Sequence, residues 1–507
     1  MKKLLPLAVA SALFGVNGAQ AVHVNSDGLG QTLIYPFYTT EGGQDTLINV
    51  VNTTEEFKAV KVRILESMNS DEVLDFNLYL SPKDHWSAVI TADTAGEGAV
   101  IRTADNSCTV PNRLSNGETI PFRNFEYQGN PPDTIAPGAS LARTKEGYVE
   151  IIEMGDIDID NGVDSGEPPP LDTVGALLEF AIKHNSAGVP GGCAILEVVW
   201  QGGPWASQGN FAMLPPSGGL YGYGVIIDVQ EGTDASYDAV ALDDFSDNPL
   251  HTFPGSVLPS LDSGTADFDV LDGVSVISGT ADSGVDAVSA TLMVSSIAND
   301  FVLEQAIAAG TDWVITFPTK KEYVNVGDVS GDDLPDALAP FTDPWLGYLQ
   351  APLIPLPSCE AIGITYYDRE EQGVAPSGLD FSPPPPGQAA FALCAEANVL
   401  TFNSANVLEA STRSGADLSV VHENGWLTID LTNDVFGANQ PTVYRPAGLG
   451  FVTGTARVLP AGGFDFEGLP TVGFAVQKYV NGDLGGVLSN YAGAITHKGV
   501  RSISGTP

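Results

Sequence analysis

The sequence predicts a mainly β protein that folds as two or three immunoglobulin-like or β-sandwich domains with a few short helices. Three observations support this fold class. Apolar and polar residues alternate along several short segments, as in strands with one buried face. The chain contains 56 glycines and 35 prolines, enough for many turns between short strands. Its 507 residues, of which 43% are hydrophobic, are enough for two or three cores.

The first strands are predicted near the N-terminus. Residues 47–51 form an apolar run, and residues 59–65 and 74–80 alternate between apolar and polar. In the second of these segments Lys61 and Arg63 alternate with apolar residues, so we expect one face on a core and the other in water. Successive strands at intervals of about 8 to 12 residues are typical of an immunoglobulin-like sandwich.

The middle of the chain mixes element types. Residues 148–154 and 194–200 are apolar runs that predict buried strands, and residues 311–317 predict a further strand. Residues 177–184 and 299–309 predict short helices, the second of which ends before a glycine in the C-cap position.

The C-terminal part again predicts strands. Residues 420–423 and 426–431 flank an Asn-Gly pair at 424–425, and this pair best accepts positive φ at both central positions of a hairpin turn. A second Asn-Gly pair, at 481–482, follows the strand-like residues 474–480 and predicts a similar turn.

The sequence has no fixed-period repeat, so a solenoid or propeller is not predicted. The predicted organisation has four parts. They are a signal peptide at 1–21, an N-terminal β-sandwich domain at 22–170, a mixed, mainly β middle region at 171–350, and a C-terminal β domain at 351–507.

The first residues have the pattern of an export signal. Lys2 and Lys3 form a basic start, residues 4–16 are apolar and small, and residues 19–21 read Ala-Gln-Ala, a small-x-small cleavage site. The apolar run of about 13 residues is shorter than the roughly 20 that span a bilayer. We therefore expect a mature chain that begins at Val22, has no transmembrane segment, and acts outside the cytoplasm.

The chain is strongly acidic. Its formal charge is −42, which becomes −44 once the two signal-peptide lysines are removed. Such a surface repels polyanions, so nucleic acid and anionic membranes are excluded as expected partners. The excess of Asp and Glu is consistent with simple solubility outside the cell or with binding of divalent cations.

Four cysteines predict two disulfides in an oxidising compartment. Three connectivities are possible. We expect Cys108 to pair with Cys193 and Cys359 with Cys394, because this choice closes the shorter loops. Metal binding is a weaker alternative, since there is no CxxC and no neighbouring pair of histidines.

One acidic window, residues 156–167, predicts a calcium loop. Oxygen ligands occupy alternate positions at its start and a glutamate its twelfth position, which suits a hard cation that needs six to eight oxygens. It is not an EF-hand, because its glycine comes one position late and prolines follow at 168–170. A solvated acidic loop is the alternative. The predicted ligands are Asp156, Asp158, Asp160, Asp164 and Glu167.

A second acidic window, which begins at Asp328, resembles the start of dockerin-type calcium loops. Its sixth position is Asp333 instead of glycine, and Ala339 occupies its twelfth. The predicted ligands are Asp328, Ser330, Asp332 and Asp336. In either window the expected role of calcium is structural, because it would neutralise clustered carboxylates.

Signatures of catalysis are absent. The six histidines form no HExxH motif, and no serine lies in GxSxG. The carboxylates of residues 368–371 could act as an acid and base pair, but close pairs are expected by chance among 63 acidic residues. Aromatic residues near Trp205 and between Tyr221 and Tyr223 could stack on sugar rings, although such residues more often fill cores.

Several segments resemble a family of uncharacterised exported proteins of Gram-negative bacteria. The resemblance covers most of the mature chain and implies export, but no activity and no functional residues. The segments are 28–38, 49–54, 58–66, 73–82, 311–320, 367–371 and 485–493.

These observations predict an exported, non-enzymatic structural or adhesive protein at the cell surface or in the extracellular matrix, stabilised by calcium. Its expected partners are surface or matrix components, or other copies of itself. A periplasmic or secreted glycan-binding module that uses Trp205 and residues 221–223 is the alternative. A hydrolase with an unrecognised acid pair is a third possibility.

Overall fold

The computed structural model describes residues 21–128, 139–160, 173–329, 335–350, 353–374, 391–432 and 457–505. The fold is mainly β, with 45% of residues in strands and 12% in helices, so the predicted fold class is confirmed. Within the described residues, no helix combines the length and apolar character needed to cross a membrane.

The strands of the first half are β1 (His23–Val24), β2 (Thr32–Thr39), β3 (Asp45–Asn52), β4 (Lys58–Glu66), β5 (Glu72–Leu80), β6 (His85–Ala92), β7 (Ala99–Arg102), β8 (Cys108–Val110), β9 (Ile120–Pro121), β10 (Glu146–Ile157), β11 (Met213–Leu214), β12 (Leu220–Asp228), β13 (Thr233–Asp238) and β14 (Val240–Asp243).

The later strands are β15 (Asp267–Asp272), β16 (Ser275–Thr280), β17 (Met293–Val294), β18 (Ser296–Val302), β19 (Ala309–Thr316), β20 (Gly347–Gln350), β21 (Leu353–Leu356), β22 (Glu360–Ala361), β23 (Gly363–Tyr367), β24 (Gly373–Val374), β25 (Ala392–Leu393), β26 (Ala397–Phe402), β27 (Gly415–Leu418), β28 (Asn424–Asp430), β29 (Val458–Ala461), β30 (Phe464–Glu467), β31 (Leu469–Pro470), β32 (Val472–Asp483), β33 (Leu488–Thr496), β34 (Lys498–Val500) and β35 (Ser502–Gly505). The α-helices are α1 (Val174–Ile182), α2 (Ala194–Gln201), α3 (Gly284–Leu292) and α4 (Lys320–Val324).

Two sheets form a first sandwich. Sheet 1 has the order β1-β14-β2-β10-β4-β5-β8, with β11 paired to β10, and sheet 2 has the order β13-β12-β3-β6-β7-β9. The two sheets contact through apolar side chains, with the rings of Phe76 and Trp86 centred 5.9 Å apart. Tyr35 in β2 also donates a hydrogen bond of 2.7 Å to the carbonyl oxygen of Asn49 in β3.

Two further sheets form a second sandwich. Sheet 3 has the order β24-β23-β28-β18-β34, and sheet 4 has the order β27-β26-β19-β32-β33. Phe301 from sheet 3 stacks on Phe402 from sheet 4 at 5.3 Å, and Trp313 packs against the same Phe402 ring. Large aromatic side chains therefore fill the space between these sheets.

Sheet 1 is covered on both faces, because sheet 4 and its flanking residues pack on the face that sheet 2 leaves open. Thr316 at the end of β19 donates a hydrogen bond of 2.7 Å to the carbonyl oxygen of Pro36 in β2. Tyr148 in β10 donates one of 3.1 Å to the carbonyl oxygen of Pro318. Every residue of β2, β4 and β10 is consequently buried. The expectation that one face of residues 59–65 lies in water is wrong, because Lys61 and Arg63 are buried beneath other layers.

Helices α1 and α2 cover the rest of the outer face of sheet 1. Their buried side chains pack on Ala59, Tyr79 and Met154 from the sheet. The Cys108–Cys193 disulfide joins β8 to the residue that precedes α2, and Cys359–Cys394 is the second bridge. Both predicted disulfides are confirmed.

Most predicted strands are confirmed. Residues 47–51, 59–65, 74–80, 148–154 and 311–317 lie in β3, β4, β5, β10 and β19 or directly at its end, and the helix predicted at 177–184 overlaps α1. The division into three domains at residues 170 and 350 stays a prediction. In the structure β11 to β14 belong to the same two sheets as β1 to β10.

The strand predicted at 194–200 is wrong, because this segment forms α2. Leu196, Val199 and Trp200 are buried, which is the spacing of one helical face, whereas Val198 is 65% exposed. A short apolar run does not by itself separate a buried strand from a helix.

The helix predicted at 299–309 is also wrong. Residues up to Val302 belong to β18, which forms seven residue pairs with β28. A short 3-10 turn at Gln305–Ile307 follows, and Ala308 then adopts a left-handed conformation with φ 46°. Pairing between distant strands has overridden the local helical pattern.

The two Asn-Gly predictions have different outcomes. Residues 420–423 form no strand, and β28 begins at Asn424 and pairs with β18 and β23, so the first hairpin is wrong. The second hairpin exists as β32 and β33, but its reversal lies between 484 and 487. Gly482, at φ 67°, lies instead in a register shift of β32.

Candidate functional site

Asp156, the first predicted calcium ligand, forms an ion pair with a lysine. Asp156 lies in β10, and its carboxylate accepts a hydrogen bond of 2.9 Å from the Nζ of Lys58. The same ammonium group donates to Glu153 at 2.6 Å and to the hydroxyl of Ser217 at 2.7 Å. Lys58 thus supplies Asp156 with a positive charge without a metal ion.

The remaining residues of the first window are only partly described. Asp158 donates its backbone N–H to the carbonyl of Ala212, and Asp160 is exposed. Asp164 and Glu167 lie outside the described residues. Where the structure describes the chain, it brings no three His, Cys, Asp or Glu side chains into a metal-holding group.

The ends of the second window lie close together. The carboxylate of Asp336 accepts a hydrogen bond of 2.8 Å from the backbone N–H of Val329, and the Asp336 N–H donates to the carbonyl of Gly327 at 2.7 Å. Asp336 is therefore beside the residue that follows Asp328. Ser330 and Asp332 lie outside the described residues. Calcium in either window stays a prediction.

A series of buried ion pairs lies on sheet 1, and we call it the buried charge layer. Its cations are Lys58, Lys61, Arg63 and Arg143, and its anions are Glu66, Asp71, Glu72, Asp75, Glu150, Glu153 and Asp156. Alternation of polar and apolar residues placed two of these groups, Lys61 and Arg63, on one face of β4. It could not show that another layer would cover that face, and a covered charge must be paired.

Arg143 and Lys321 meet at Asp71, which connects this layer to α4. The guanidinium of Arg143 donates to Glu66 at 2.7 Å and to Asp71 at 3.1 Å, and lies 4.0 Å from the ring centre of Tyr127. Lys321 in α4 donates to the other oxygen of Asp71 at 3.0 Å. Although burial works to lower it, the carboxylates of Asp71 and Glu126 hold the pKa of Lys321 above its ordinary value.

Glu396 is a buried carboxyl beside Ser70, which lies in the connection between β4 and β5. Its Oε2 accepts a hydrogen bond from the hydroxyl of Ser70, and its Oε1 has no hydrogen-bond partner. Burial raises the pKa of Glu396 to about 8, while Ser70 and Lys320 act in the opposite direction. The Glu396 carboxyl is therefore mainly protonated at neutral pH and has no contact with solvent.

A buried aromatic cluster accounts for Trp205. This residue is 2% exposed, and its ring stacks on Tyr79 with centres 5.6 Å apart. Tyr221 lies in a different layer, on β12 of sheet 2, and is 39% exposed. Trp205 and residues 221–223 therefore form no common platform for a sugar, and Trp205 fills a core.

His251 belongs to the same cluster. Its Nε2 lies 3.0 Å from the hydroxyl of Tyr79, and its Nδ1 lies 2.6 Å from the carbonyl oxygen of Gly209. Burial lowers the pKa of His251 to about 4, so the ring is neutral at physiological pH. Both nitrogens are used within the core, which leaves none for acid and base catalysis.

Ser217 carries an exposed hydroxyl beside a lysine, an arrangement that can activate a nucleophile. It contacts Lys58, and serine and lysine pairs catalyse acyl transfer when the lysine is a neutral base. Here the amine donates to three oxygens at once, on Glu153, Asp156 and Ser217, which requires all three ammonium protons. Lys58 is thus a charged donor, and the geometry does not activate Ser217.

The carboxylates at 368–371 form an exposed turn. One oxygen of Asp368 accepts hydrogen bonds from the backbone N–H groups of Glu370 and Gln372, at 2.9 and 2.8 Å. Arg369 lies 3.8 Å from Glu304. These contacts give Asp368 a role in closing the turn.

A cavity of about 440 Å³ lies beside the second disulfide. Two arginines line it, Arg143 and Arg413. Both are paired with carboxylates, Arg143 with Glu66 and Arg413 with Glu41, each at 2.7 Å. Carboxylates therefore neutralise both arginines, and these side chains do not make the cavity an anion site.

Sequence reasoning missed an exposed aromatic pair on sheet 3. Tyr367 in β23 and Trp426 in β28 are register partners, and their rings stack with centres 4.7 Å apart and planes 17° apart. The alternation along β28 could have predicted it. Trp426 lies on the same outward face as Thr428 and Asp430, while Leu427 points inward. A tryptophan among outward polar positions indicates a surface ring.

Comparison of the chain with protein families, with curated proteins and with solved structures finds no match.

Proposed function

We propose that this chain is an exported, non-enzymatic structural or adhesive protein that acts at the cell surface or in the extracellular matrix. The observation that carries this proposal is the buried charge layer. Its carboxylates and cations are paired with one another, chiefly between neighbouring strands of sheet 1, and Arg143, which lines the cavity beside the second disulfide, is itself paired with Glu66. This arrangement suits a rigid scaffold better than a catalyst.

Two further features support the proposal. The two disulfides are of the kind that persists in oxidising compartments, which agrees with the export signal expected at residues 1–21. Calcium is the expected stabilising ion, in the windows 156–167 and 328–336. It would offset the repulsion expected among the clustered carboxylates of each window.

Cell fractionation tests the proposal. Native cells are washed with or without a calcium chelator, and the protein is located in the surface, periplasmic and cytoplasmic fractions. The mature chain is then melted with and without the chelator. We expect surface retention, with chelation releasing the protein and lowering its melting temperature. Recovery of a soluble periplasmic monomer that is indifferent to chelator would contradict both the surface role and the role of calcium.

A glycan-binding module is the second candidate function. The exposed stack of Tyr367 on Trp426 favours it, because flat aromatic surface in water is the feature with which proteins hold sugar rings. Retention on an immobilised polysaccharide is the discriminating measurement.

A further inference from the structure

The outer face of sheet 3 keeps a large aromatic surface in water. Trp426 is 44% exposed although its ring is stacked on Tyr367. The register of the sheet places Asp300 of β18 on the other flank of Trp426, and Asp300 is exposed. Because Tyr367 covers one side of the indole, the open side is the one toward β18, where the neighbouring side chain is short.

The sheet is built to accommodate this pair. Gly373 in β24 is the register partner of Tyr367 on the side away from Trp426. A Cβ at Gly373 would lie 2.7 Å from Cε1 of the Tyr367 ring, so any other residue would displace the ring. A glycine in a strand commonly marks such a close approach.

Polar groups occupy the next rows of the same face. Thr365 and Thr428 are register partners one row below the rings, and Asp430 lies one row further along β28. All three side chains are partly accessible. Hydroxyl and carboxylate oxygens therefore lie beside the aromatic surface, where they can exchange hydrogen bonds with the hydroxyl groups of a ligand.

This combination distinguishes a sugar from a protein partner. The centre of a protein interface is depleted in charged residues, whereas here the carboxylate of Asp300 lies beside Trp426 in the register of the sheet. Pyranose rings have C–H groups on their faces, which pack on the negative face of an aromatic ring, and hydroxyls at their edges. The chain charge of −42 disfavours an anionic polymer, and on this face Asp300 faces Trp426 directly, whereas Lys498 lies one row away beside Ala298.

We propose that the outer face of sheet 3 binds a neutral polysaccharide of pyranose units, with one sugar ring stacked on Trp426. The proposal rests on the proposed extracellular function and deepens it by naming the partner. Tyr367 supports the indole from behind, and Thr365, Thr428 and Asp300 bind the hydroxyls of that sugar and its neighbours.

Affinity electrophoresis in native gels tests the site with two forms of one polymer backbone. Hydroxyethylcellulose is the neutral probe and carboxymethylcellulose the anionic one. We expect the mature protein to be retarded by the neutral polymer and not by the anionic one. Trp426→Ala should weaken retardation about tenfold, the loss expected for one aromatic contact, and Trp426→Phe should recover most of it.

Tyr491→Ala is the matched control, because Tyr491 is also an exposed aromatic residue, 61% accessible, but lies on β33 of sheet 4. We expect this variant to bind like the unmodified protein, with melting curves showing that all variants are folded. Equal retardation of Trp426→Ala and the unmodified protein would overturn the proposal. It would also be overturned if Trp426→Ala converted a dimer to a monomer in sedimentation without polysaccharide, since the face would then join two copies.

The two proposals fail in different ways. If the protein is retained on washed cells but is retarded by neither polymer, the sugar site is wrong and the surface role stands. If it is retarded by the neutral polymer but is recovered from the cytoplasm, the sugar site stands and the surface role is wrong.

Discussion

At the scale of single residues, the charged side chains of sheet 1 are the least expected feature of this molecule. An exposed lysine or arginine makes a weak pair, whereas one that is covered must be matched, because an isolated buried charge is very costly. Arg143 illustrates this, since it lies between Glu66, Asp71 and the ring of Tyr127 with almost no exposure.

Arg143→Ala should destabilise the fold by about 3 to 5 kcal/mol, because it leaves the buried carboxylate of Glu66 without its cation, while Asp71 keeps Lys321. Urea unfolding of the mature chain measures the change. Arg113→Ala is the matched control, since Arg113 and Glu118 form an exposed pair whose loss should cost less than about 1 kcal/mol. Equal effects of the two substitutions would show that the layer does not stabilise the protein.

Glu396 predicts an unusual dependence of stability on pH. Its pKa is about 8 in the folded protein against an ordinary 4.5, so the folded state holds the proton more tightly than the unfolded state. The contribution of Glu396 to stability is therefore complete below pH 4.5 and is lost as the pH rises through about 8.

Glu396→Gln removes this titration and keeps the shape of the protonated acid. We expect the variant to match the unmodified protein near pH 5 and to be the more stable of the two near pH 8, in urea unfolding at both values. A variant that is equally destabilised at both pH values would show that the titration of Glu396 does not contribute.

At the scale of elements, α2 shows how tertiary contacts choose between two local structures. Its residues are apolar enough for a buried strand, but the disulfide at Cys193 and the aromatic cluster around Trp200 hold it against the outer face of sheet 1 as a helix. β18 shows the reverse, because seven residue pairs with β28 override a helical pattern.

Two neighbouring substitutions distinguish helix from strand at α2. A strand would bury residues 196, 198 and 200, whereas the helix buries Leu196, Val199 and Trp200. Val199→Asp should therefore cost about 3 kcal/mol or more, and Val198→Asp less than about 1 kcal/mol, in urea unfolding. The opposite order of effects would support a strand.

At the scale of the whole molecule, the two sandwiches share one buried region. Sheet 4 packs on sheet 1, and Tyr237 of sheet 2 stacks on Phe474 of sheet 4 with ring centres 4.4 Å apart. Lys478 in β32 also donates to Asp228 in β12 at 2.7 Å. Contacts of this kind couple the unfolding of one sandwich to that of the other.

We expect the mature chain to melt in a single calorimetric transition, with a calorimetric enthalpy equal to the van't Hoff enthalpy. Lys321 in α4 is paired with Asp71 of the first sandwich. Lys321→Met removes this ion pair and should lower the temperature of that one transition. Two separate transitions in the unmodified protein would show that the sandwiches are independent domains.

The amino-acid sequence by itself determined the mainly β class, the positions of β3, β4, β5, β10 and β19, and both disulfides. The class and the strands follow from local patterns of apolar and polar residues, and the disulfides from choosing, among three connectivities, the one that closes the shorter loops. Only the tertiary structure decided that Lys61 and Arg63 are buried, that residues 194–201 form a helix, and that Tyr367 and Trp426 meet on one exposed face. Each of these depends on which distant segment covers or pairs with the residue, and a local pattern does not contain that information.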